Sequence, residues 1–251
     1  MIPAMSLNAE IRVFPNADEL NRATAELFVQ AAQRRLGAGG LFCAALSGGS
    51  TPRRLYQLLA DSDFARRIPW DATHLFQVDE RSVPPDHPES NFRMIRETML
   101  SRAPLPGEHF HRMAAESQDL EEAARRYSEE IADVLRPGPS EWPQFDFVLL
   151  GLGPDGHTAS LFPDTAALEE RERWVVPNRV EKLGTWRLTL TFPVINSAAE
   201  TIFLVAGADK AEILRRVLRP TSPADALPAQ RINPAKGQLY WYLDQPAARL
   251  L

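Results

Sequence analysis

The stretch Leu41–Tyr56, LFCAALSGGSTPRRLY, decides the fold of this chain. It opens with an apolar run of strand length, Leu41 to Leu46, and the Gly-Gly-Ser-Thr turn and Pro52 then lead into a helical pattern. Strands that are apolar on both faces are typical of a parallel sheet covered by helices. The stretch therefore predicts one strand-to-helix unit of an α/β fold.

The same alternation of strand and helix recurs along the chain. Further strand-like runs are Thr73 to Val78, Asp146 to Leu150, Trp174 to Val176, Arg187 to Thr191, Thr201 to Ala206 and Leu239 to Leu243. Helical patterns lie at Pro52 to Ala60, Asn91 to Arg102, Leu120 to Leu135 and Ala208 to Leu218. This order predicts a doubly wound, mostly parallel sheet with helices on both faces.

The organisation of the chain is predicted to be simple. Asn16, with Glu19 three residues later, reads as a capping box that opens a helix, and Gly37 ends it. The connections rich in helix breakers are too short to require a domain boundary, so we expect a single domain over residues 1–251. The longest of them, Pro220 to Pro234, is predicted to be a lid or a surface loop.

Composition excludes several classes of protein. The 28 Lys and Arg residues against 33 Asp and Glu residues give a net charge of −5, so there is no bulk positive field for nucleic acid. The first ten residues lack the pattern of a signal peptide, and no apolar run is long enough for a membrane span. The single cysteine, Cys43, excludes an intramolecular disulfide framework. We therefore expect a cytoplasmic protein that binds neither nucleic acid nor membrane.

In an open α/β sheet, ligands bind beyond the carboxyl ends of the strands, so the residues after each apolar run are the candidates. The first such loop is Ser47, Gly48, Gly49, Ser50 and Thr51. Glycines allow close approach of the backbone, and exposed N–H groups bind phosphate. The loop matches neither a Walker loop nor G-x-G-x-x-G, so no nucleotide is implied. An ordinary turn with Thr51 as helix N-cap is the alternative.

The second candidate is the triplet Asp79-Glu80-Arg81. Two adjacent carboxylates and an arginine are costly to bury unless each has a partner, so a salt-bridged loop is one interpretation. The other is orientation of a ligand by Arg81, whose guanidinium geometry suits phosphate or carboxylate.

The third loop carries the best catalytic candidate. Gly151-Leu152-Gly153-Pro154-Asp155-Gly156-His157 follows a buried strand. A neutral imidazole at His157 can take a proton from water, and Asp155 can orient it or raise its basicity. The spacing of His74, His109 and His111 makes no recognisable metal site.

Two further basic residues are candidates for the site, one at the start of a strand-like run and one just after such a run. Arg187 starts Arg-Leu-Thr-Leu-Thr, and Lys210 lies at the start of a helix, where a cation does not complement the helix dipole. A bound phosphate would explain Lys210; solvated surface side chains are the alternative for both residues.

Five segments of the chain together resemble the 6-phosphogluconolactonase family, which shares its fold with glucosamine-6-phosphate deaminases. They are LSGGSTPRRLY, VDERSVPPDHPESNFRM, FDFVLLGLGPDGHTASLFP, RLTLTFPVINSA and FLVAGADKAEIL, in the order typical of the family. The resemblance implies a Rossmann-like sheet without nucleotide, and hydrolysis of 6-phospho-D-glucono-1,5-lactone with no metal or organic cofactor. The partner would be this sugar-phosphate lactone, with the oligomeric state open between a monomer and a weak dimer.

The resemblance also implies roles for individual residues. Gly48, Gly49, Ser50 and Thr51, next to Ser47, would hold the substrate phosphate with help from Arg187 and Lys210. Asp79 and Arg81 would line the sugar site. His157 would be the general base.

The same resemblance raises two alternative functions. Deaminases continue Asp-Gly-His with Ala-Phe-Asn-Glu-Pro, whereas Ser160-Leu161-Phe162-Pro163 stand here, so Phe162 replaces the glutamate that assists ring opening. A sugar-phosphate sensor of this fold would carry a DNA-binding helix-turn-helix, for which the N-terminal region has no room.

Overall fold

The computed structural model describes residues 9–219 and 226–251. The strands are β1 (Ala9–Phe14), β2 (Phe42–Leu46), β3 (Thr73–Gln77), β4 (Asp79–Arg81), β5 (Phe110–His111), β6 (Phe147–Leu150), β7 (Val175–Val180), β8 (Thr185–Leu190), β9 (Glu200–Val205) and β10 (Gln238–Asp244). The helices are α1 (Ala17–Gly37), α2 (Arg53–Leu59), α3 (Ser62–Ala65), α4 (Asn91–Ile95), α5 (Leu120–Leu135), α6 (Phe192–Ser197), α7 (Ala211–Leu218) and α8 (Gln245–Ala248). Short 3-10 turns join several of them, and a π-helical turn, Arg96–Leu100, extends α4.

A seven-stranded sheet in the order β1-β10-β9-β6-β2-β3-β5 forms the centre of the fold, and every neighbouring pair in it is parallel. The central strand β2 is buried at all five residues. Its side chains alternate between two apolar clusters, one on each face of the sheet. The predicted parallel sheet with helices on both faces is confirmed.

The strands β7 and β8 correct one detail of that prediction. They were expected among the strands of the central sheet, but they pair with each other and with β4 in a separate antiparallel sheet, ordered β4-β8-β7. An apolar run indicates that a strand is buried, but it does not indicate which sheet the strand joins. The small sheet packs on the apolar cluster that contains Leu188 and Leu190.

Asn16 caps the first helix as expected, but the described contacts contain no return bond from the Glu19 side chain, so only half of the predicted capping box is present. The side chain of Asn16 accepts hydrogen bonds from the backbone N–H groups of Asp18 and Glu19, and α1 ends at Gly37. These contacts satisfy N–H groups that a helix start leaves without partners. Edge strand β1 was not predicted, because exposed residues interrupt its apolar pattern.

The Pro220 to Pro234 segment lies partly outside the described residues. Its described end packs on the loop after β6: the Ala229 N–H donates to the Gly156 carbonyl over 2.9 Å, and Leu227 lies against Gly156. No helix in residues 9–219 and 226–251 is long and apolar enough to cross a membrane.

Candidate active site

A cavity of about 240 Å³ opens where the carboxyl ends of β2 and β6 meet the small sheet. This is the edge at which an open parallel sheet binds ligands. The predicted residues that line the cavity are Ser47, Gly48, Gly49, Ser50, Thr51, Asp79, Arg81, His157 and Lys210. Asp155 and Arg187 lie outside this lining and are placed by other contacts. Residues as far apart in sequence as Ser47 and Lys210 are thus brought to one place.

His157 has one ring nitrogen fixed by a carboxylate. Its Nδ1 lies 2.5 Å from Oδ1 of Asp155, whose same oxygen also accepts the His157 backbone N–H over 3.2 Å. Burial is the main cause that lowers the pKa of His157 to about 4, and nearby cations add to the lowering while Asp79 opposes it. The imidazole is therefore neutral near pH 7. Because a carboxylate only accepts, Nδ1 carries the proton and Nε2 keeps a lone pair.

The ring of His157 is held on both sides. It stacks on Phe162 with centroids 3.9 Å apart, and its other contact is the Cα of Gly153. A Cβ built on Gly153 would lie 2.7 Å from Cγ of His157 and nearer still to Nδ1, so only glycine leaves room for the ring. Packing of the imidazole therefore explains why position 153 is glycine.

The loop that carries His157 is tied to the small sheet through Ser160. The Ser160 hydroxyl donates to Asp79 over 2.6 Å, and its N–H donates to the Thr189 hydroxyl over 3.2 Å. The Ser160 carbonyl accepts from the Asn178 amide over 2.8 Å. All three backbone and side-chain groups of one buried serine are thus used. Ala159, just before it, holds a left-handed φ of 50°, which costs energy for a residue with a Cβ.

The two adjacent carboxylates have different surroundings. Glu80 is 3% exposed and accepts from the N–H groups of Arg81, Asn91 and Phe92, all within 2.8 Å. These bonds fix the chain around the site, so Glu80 has a structural position. Asp79 instead lines the cavity. The salt-bridge interpretation is not what the structure shows, because within the described chain Arg81 forms no ion pair and donates to the Glu89 carbonyl over 2.6 Å.

Two arginines lie side by side on the face of the small sheet that meets the His157 loop. Arg81 and Arg187 are directly opposed in the antiparallel register of β4 and β8, next to the pair Asp79 and Thr189. Burial, and then the charge of Arg81, lower the pKa of Arg187. Among the described residues the Arg187 side chain has neither a hydrogen bond nor an ion pair, although its backbone pairs within the small sheet. Two adjacent guanidinium groups with so few anionic partners favour an anion between or beside them.

The loop after β2 is rigid where it leaves the sheet and open where it lines the cavity. The Ser47 hydroxyl donates to the Leu149 carbonyl over 2.7 Å, so this side chain has a structural partner. A Cβ on Gly48 would lie 2.8 Å from the Cβ of Asn91, and Gly49 adopts a φ of 97°. Helix α2 has no side-chain N-cap, so the alternative in which Thr51 caps it is wrong. Ser50 and Gly49 are exposed to the cavity.

Lys210 also lines the cavity. Its side chain is 21% exposed, and its nearest carboxylate, Asp209, lies 3.9 Å from Nζ. This distance is at the outer limit of an ion pair, and Lys210 is near enough to His157 to contribute to the lowering of its pKa. Lys210 therefore belongs to the cationic lining of the cavity, and the solvated-surface alternative does not describe it.

The sequence did not predict the cavity-lining residues Asn91 and Thr158, nor one contact beside the cavity. Lys182, at the tip of the β7–β8 hairpin, contacts Oδ2 of Asp155, the oxygen that His157 does not use. Nothing in Glu-Lys-Leu-Gly marks this lysine, because the pairing depends on how the small sheet packs on the central one.

Other pockets and histidines lie away from this site. A groove of about 730 Å³ between α5 and residues 173–175 contains none of the predicted residues, so its greater size does not mark the chemistry. His74, His109 and His111 stack against one another near β5. The described residues hold no group of three or more His, Cys, Asp or Glu side chains arranged for a metal ion.

Comparison with known proteins agrees with this geometry. Residues 15–241 match the family model described as glucosamine-6-phosphate isomerases/6-phosphogluconolactonase. The chain belongs to this family. A 6-phosphogluconolactonase of Nostoc sp. is 39% identical over 237 residues, covering 94% of this chain and 96% of that protein. The human 6-phosphogluconolactonase is 41% identical over 247 residues, covering 96% and 93%. The solved structure of the Trypanosoma cruzi 6-phosphogluconolactonase matches with a TM-score of 0.86 at 29% identity, covering 99% of both chains.

Proposed function

We propose that this chain hydrolyses 6-phospho-D-glucono-1,5-lactone to 6-phosphogluconate, the lactonase step of the oxidative pentose phosphate pathway. The single observation that carries the proposal is a neutral His157 held by Asp155 in a cavity lined by cations. It is supported by family membership and by relatives named 6-phosphogluconolactonase over nearly their whole length. Coverage of that extent makes transfer of the whole activity reasonable.

In the proposed reaction His157 acts as general base. Its Nε2 takes a proton from a water molecule, the water oxygen attacks the lactone C1, and a tetrahedral oxyanion forms. The C1–ring-oxygen bond then breaks, and the ring oxygen accepts a proton to become a hydroxyl group. Asp155 keeps the Nδ1 proton in place, so that the lone pair stays on the nitrogen that meets the water. No metal or organic cofactor is required by these steps.

The phosphate of the substrate is assigned to the cationic side of the cavity. Gly49 and Ser50 are exposed at this cavity, Lys210 lines it as well, and Arg187 stands beside Arg81 in the small sheet. A phosphate dianion would neutralise cations that have few partners in the folded chain. Asp79 then faces the sugar hydroxyls, with Ser160 fixing its second oxygen.

Phe162 separates this function from amino-sugar deamination. Its ring lies 3.9 Å from the His157 ring, in the place where the deaminase motif has a glutamate. A phenyl ring transfers no proton, and it desolvates the imidazole, which keeps the base neutral. Hydrolysis of an activated ester needs one base and good positioning, worth about 10²–10⁴-fold for the base, so the pair of His157 and Asp155 is sufficient.

We assign the protein to the cytoplasm as part of the same proposal. Its only cysteine, Cys43, is a buried free thiol, which fits a reducing compartment.

The test uses purified protein with two substrates in separate reactions. Freshly made 6-phosphogluconolactone is followed by the proton that its hydrolysis releases, with spontaneous hydrolysis subtracted, and glucosamine 6-phosphate is followed by ammonia release. We expect acceleration of the first reaction alone, and a loss of about 10²–10⁴-fold in kcat for His157→Ala at nearly unchanged KM. No acceleration of lactone hydrolysis would refute the proposal, and ammonia release would point to the deaminase.

A further inference from the structure

The turn of the β7–β8 hairpin reaches across to the catalytic loop. The 3-10 turn Glu181–Leu183 is closed by Gly184 with a left-handed φ of 62°. Its Lys182 ammonium contacts Asp155, although the Lys182 side chain is 48% exposed. This contact joins the tip of the small sheet to the carboxylate that orients His157.

Asp155 is used at both oxygens by two different groups. Oδ1 lies 2.5 Å from the imidazole Nδ1 of His157, and Oδ2 contacts Nζ of Lys182. Lys182 Nζ also lies 5.0 Å from the ring centroid of Phe162, the ring on which His157 stacks. The Asp155 carboxylate therefore contacts both the imidazole and the ammonium, and a change in either partner alters the surroundings of the carboxylate.

The type of cation at this position differs from most of the chain. Three of the 28 basic residues are lysines, at positions 182, 210 and 236, and two of these three border the site. An ammonium group is a compact point charge, whereas a guanidinium group spreads its charge over a plane. A compact charge suits the narrow space between a carboxylate oxygen and the face of a phenyl ring.

We propose that Lys182 is a positioning residue, which fixes the rotation of the Asp155 carboxylate and through it the tautomer and orientation of His157. The proposal rests on the proposed function only where a reaction rate is measured. It adds to the His157–Asp155 pair a third member that comes from the small sheet.

The expected effect has a definite sign. With its charge neutralised by Lys182, Asp155 stabilises the imidazolium form of His157 less than a free carboxylate would. Removing the ammonium should therefore raise the pKa of His157. The other charged groups that act on His157 are Asp79, Lys210, Arg81 and Arg187, and none of them is altered by the change.

The experiment compares Lys182→Met with two reference variants. Lys182→Arg keeps the charge. Lys236→Met removes the same charge from the segment before β10, at the amino ends of the parallel strands and away from the cavity at their carboxyl ends. Two quantities are measured for each: the pKa and tautomer of His157 from ring ¹⁵N shifts in an NMR titration, and the acid limb of the pH profile of kcat/KM. Thermal unfolding confirms that each variant is folded.

For Lys182→Met we expect a rise of about one unit in the His157 pKa, a matching move of the acid limb to higher pH, and a fall in kcat of about ten-fold at unchanged KM. Lys182→Arg, which keeps the charge in a less compact form, should hold the His157 pKa nearer to the wild-type value than Lys182→Met does, and Lys236→Met should leave both quantities unchanged. An unchanged His157 pKa in Lys182→Met, or an equal rise in Lys236→Met, would overturn the proposal. If the NMR shift occurs but the wild-type protein hydrolyses no lactone, the positioning role stands and the proposed function fails.

Discussion

A single methyl group at Gly153 should separate catalysis from folding. A Cβ there would lie 2.7 Å from Cγ of His157, whereas apolar carbon atoms pack at about 3.5–4.0 Å. Because Nδ1 and Cε1 of His157 would lie nearer still to this Cβ, the imidazole would have to move by more than about 1 Å from its position beside Asp155 and Phe162. A misplacement of this size costs about 10²-fold in rate, which corresponds to about 2.7 kcal/mol in the activation free energy. Gly153 does not have a positive φ, so alanine adds no backbone strain.

The assay compares steady-state lactone hydrolysis and thermal unfolding of Gly153→Ala with those of Gly107→Ala. Gly107 has open space around its Cα and no positive φ, so the same change there should affect neither quantity. We expect kcat to fall by about 10²-fold in Gly153→Ala at similar KM, with a loss of stability of about 1–3 kcal/mol from overpacking. Full activity in a folded Gly153→Ala protein would show that the ring position does not depend on this glycine.

Three further results are expected. Burial lowers the pKa of His74 to about 4, so protonation favours the unfolded chain, and the free energy of unfolding should fall as the pH drops from about 6.5 to about 4. In urea titrations at several pH values, His74→Gln should make this decline less steep. An equally steep decline in the variant would contradict the role of His74. Ser160→Ala should leave Oδ2 of the buried Asp79 without its donor, while Oδ1 keeps the Asn91 amide, and should cost about 1–3 kcal/mol in the free energy of unfolding, which an unchanged thermal midpoint would disprove. Arg187→Met and Lys210→Met should each raise KM several-fold at similar kcat; unchanged KM in both would remove them from the phosphate site.

The central sheet was predictable because its strands carry their own signals. The run Leu41 to Leu46 is too short and too apolar for a surface helix, and the turn after it contains glycine and proline. The small sheet was not predictable in the same way. The apolar run of β8 looks like that of a central strand, and its antiparallel partner β4 is only three residues long.

The site shows the same division between local and long-range information. His157 and Asp155 stand two residues apart in one loop, so their contact follows from the local sequence. Lys182 reaches that loop from 27 residues further along, through the packing of one sheet on another. The role of Gly48 was also beyond the sequence, because it depends on the position of the Asn91 side chain. That the residues lining the cavity bind substrate remains a prediction.

The paired arginines of the small sheet link ligand binding to folding. Arg81 and Arg187 face each other across two strands, and the repulsion between them disfavours the folded state. An anion that binds there relieves this repulsion, and a ligand that binds only the folded chain adds RT ln(1 + [L]/Kd) to its stability. Inorganic phosphate alone would then act as a chemical chaperone for the enzyme. A substrate whose phosphate binds at this pair, as proposed, would therefore raise the free energy of unfolding of the protein as well as undergo reaction.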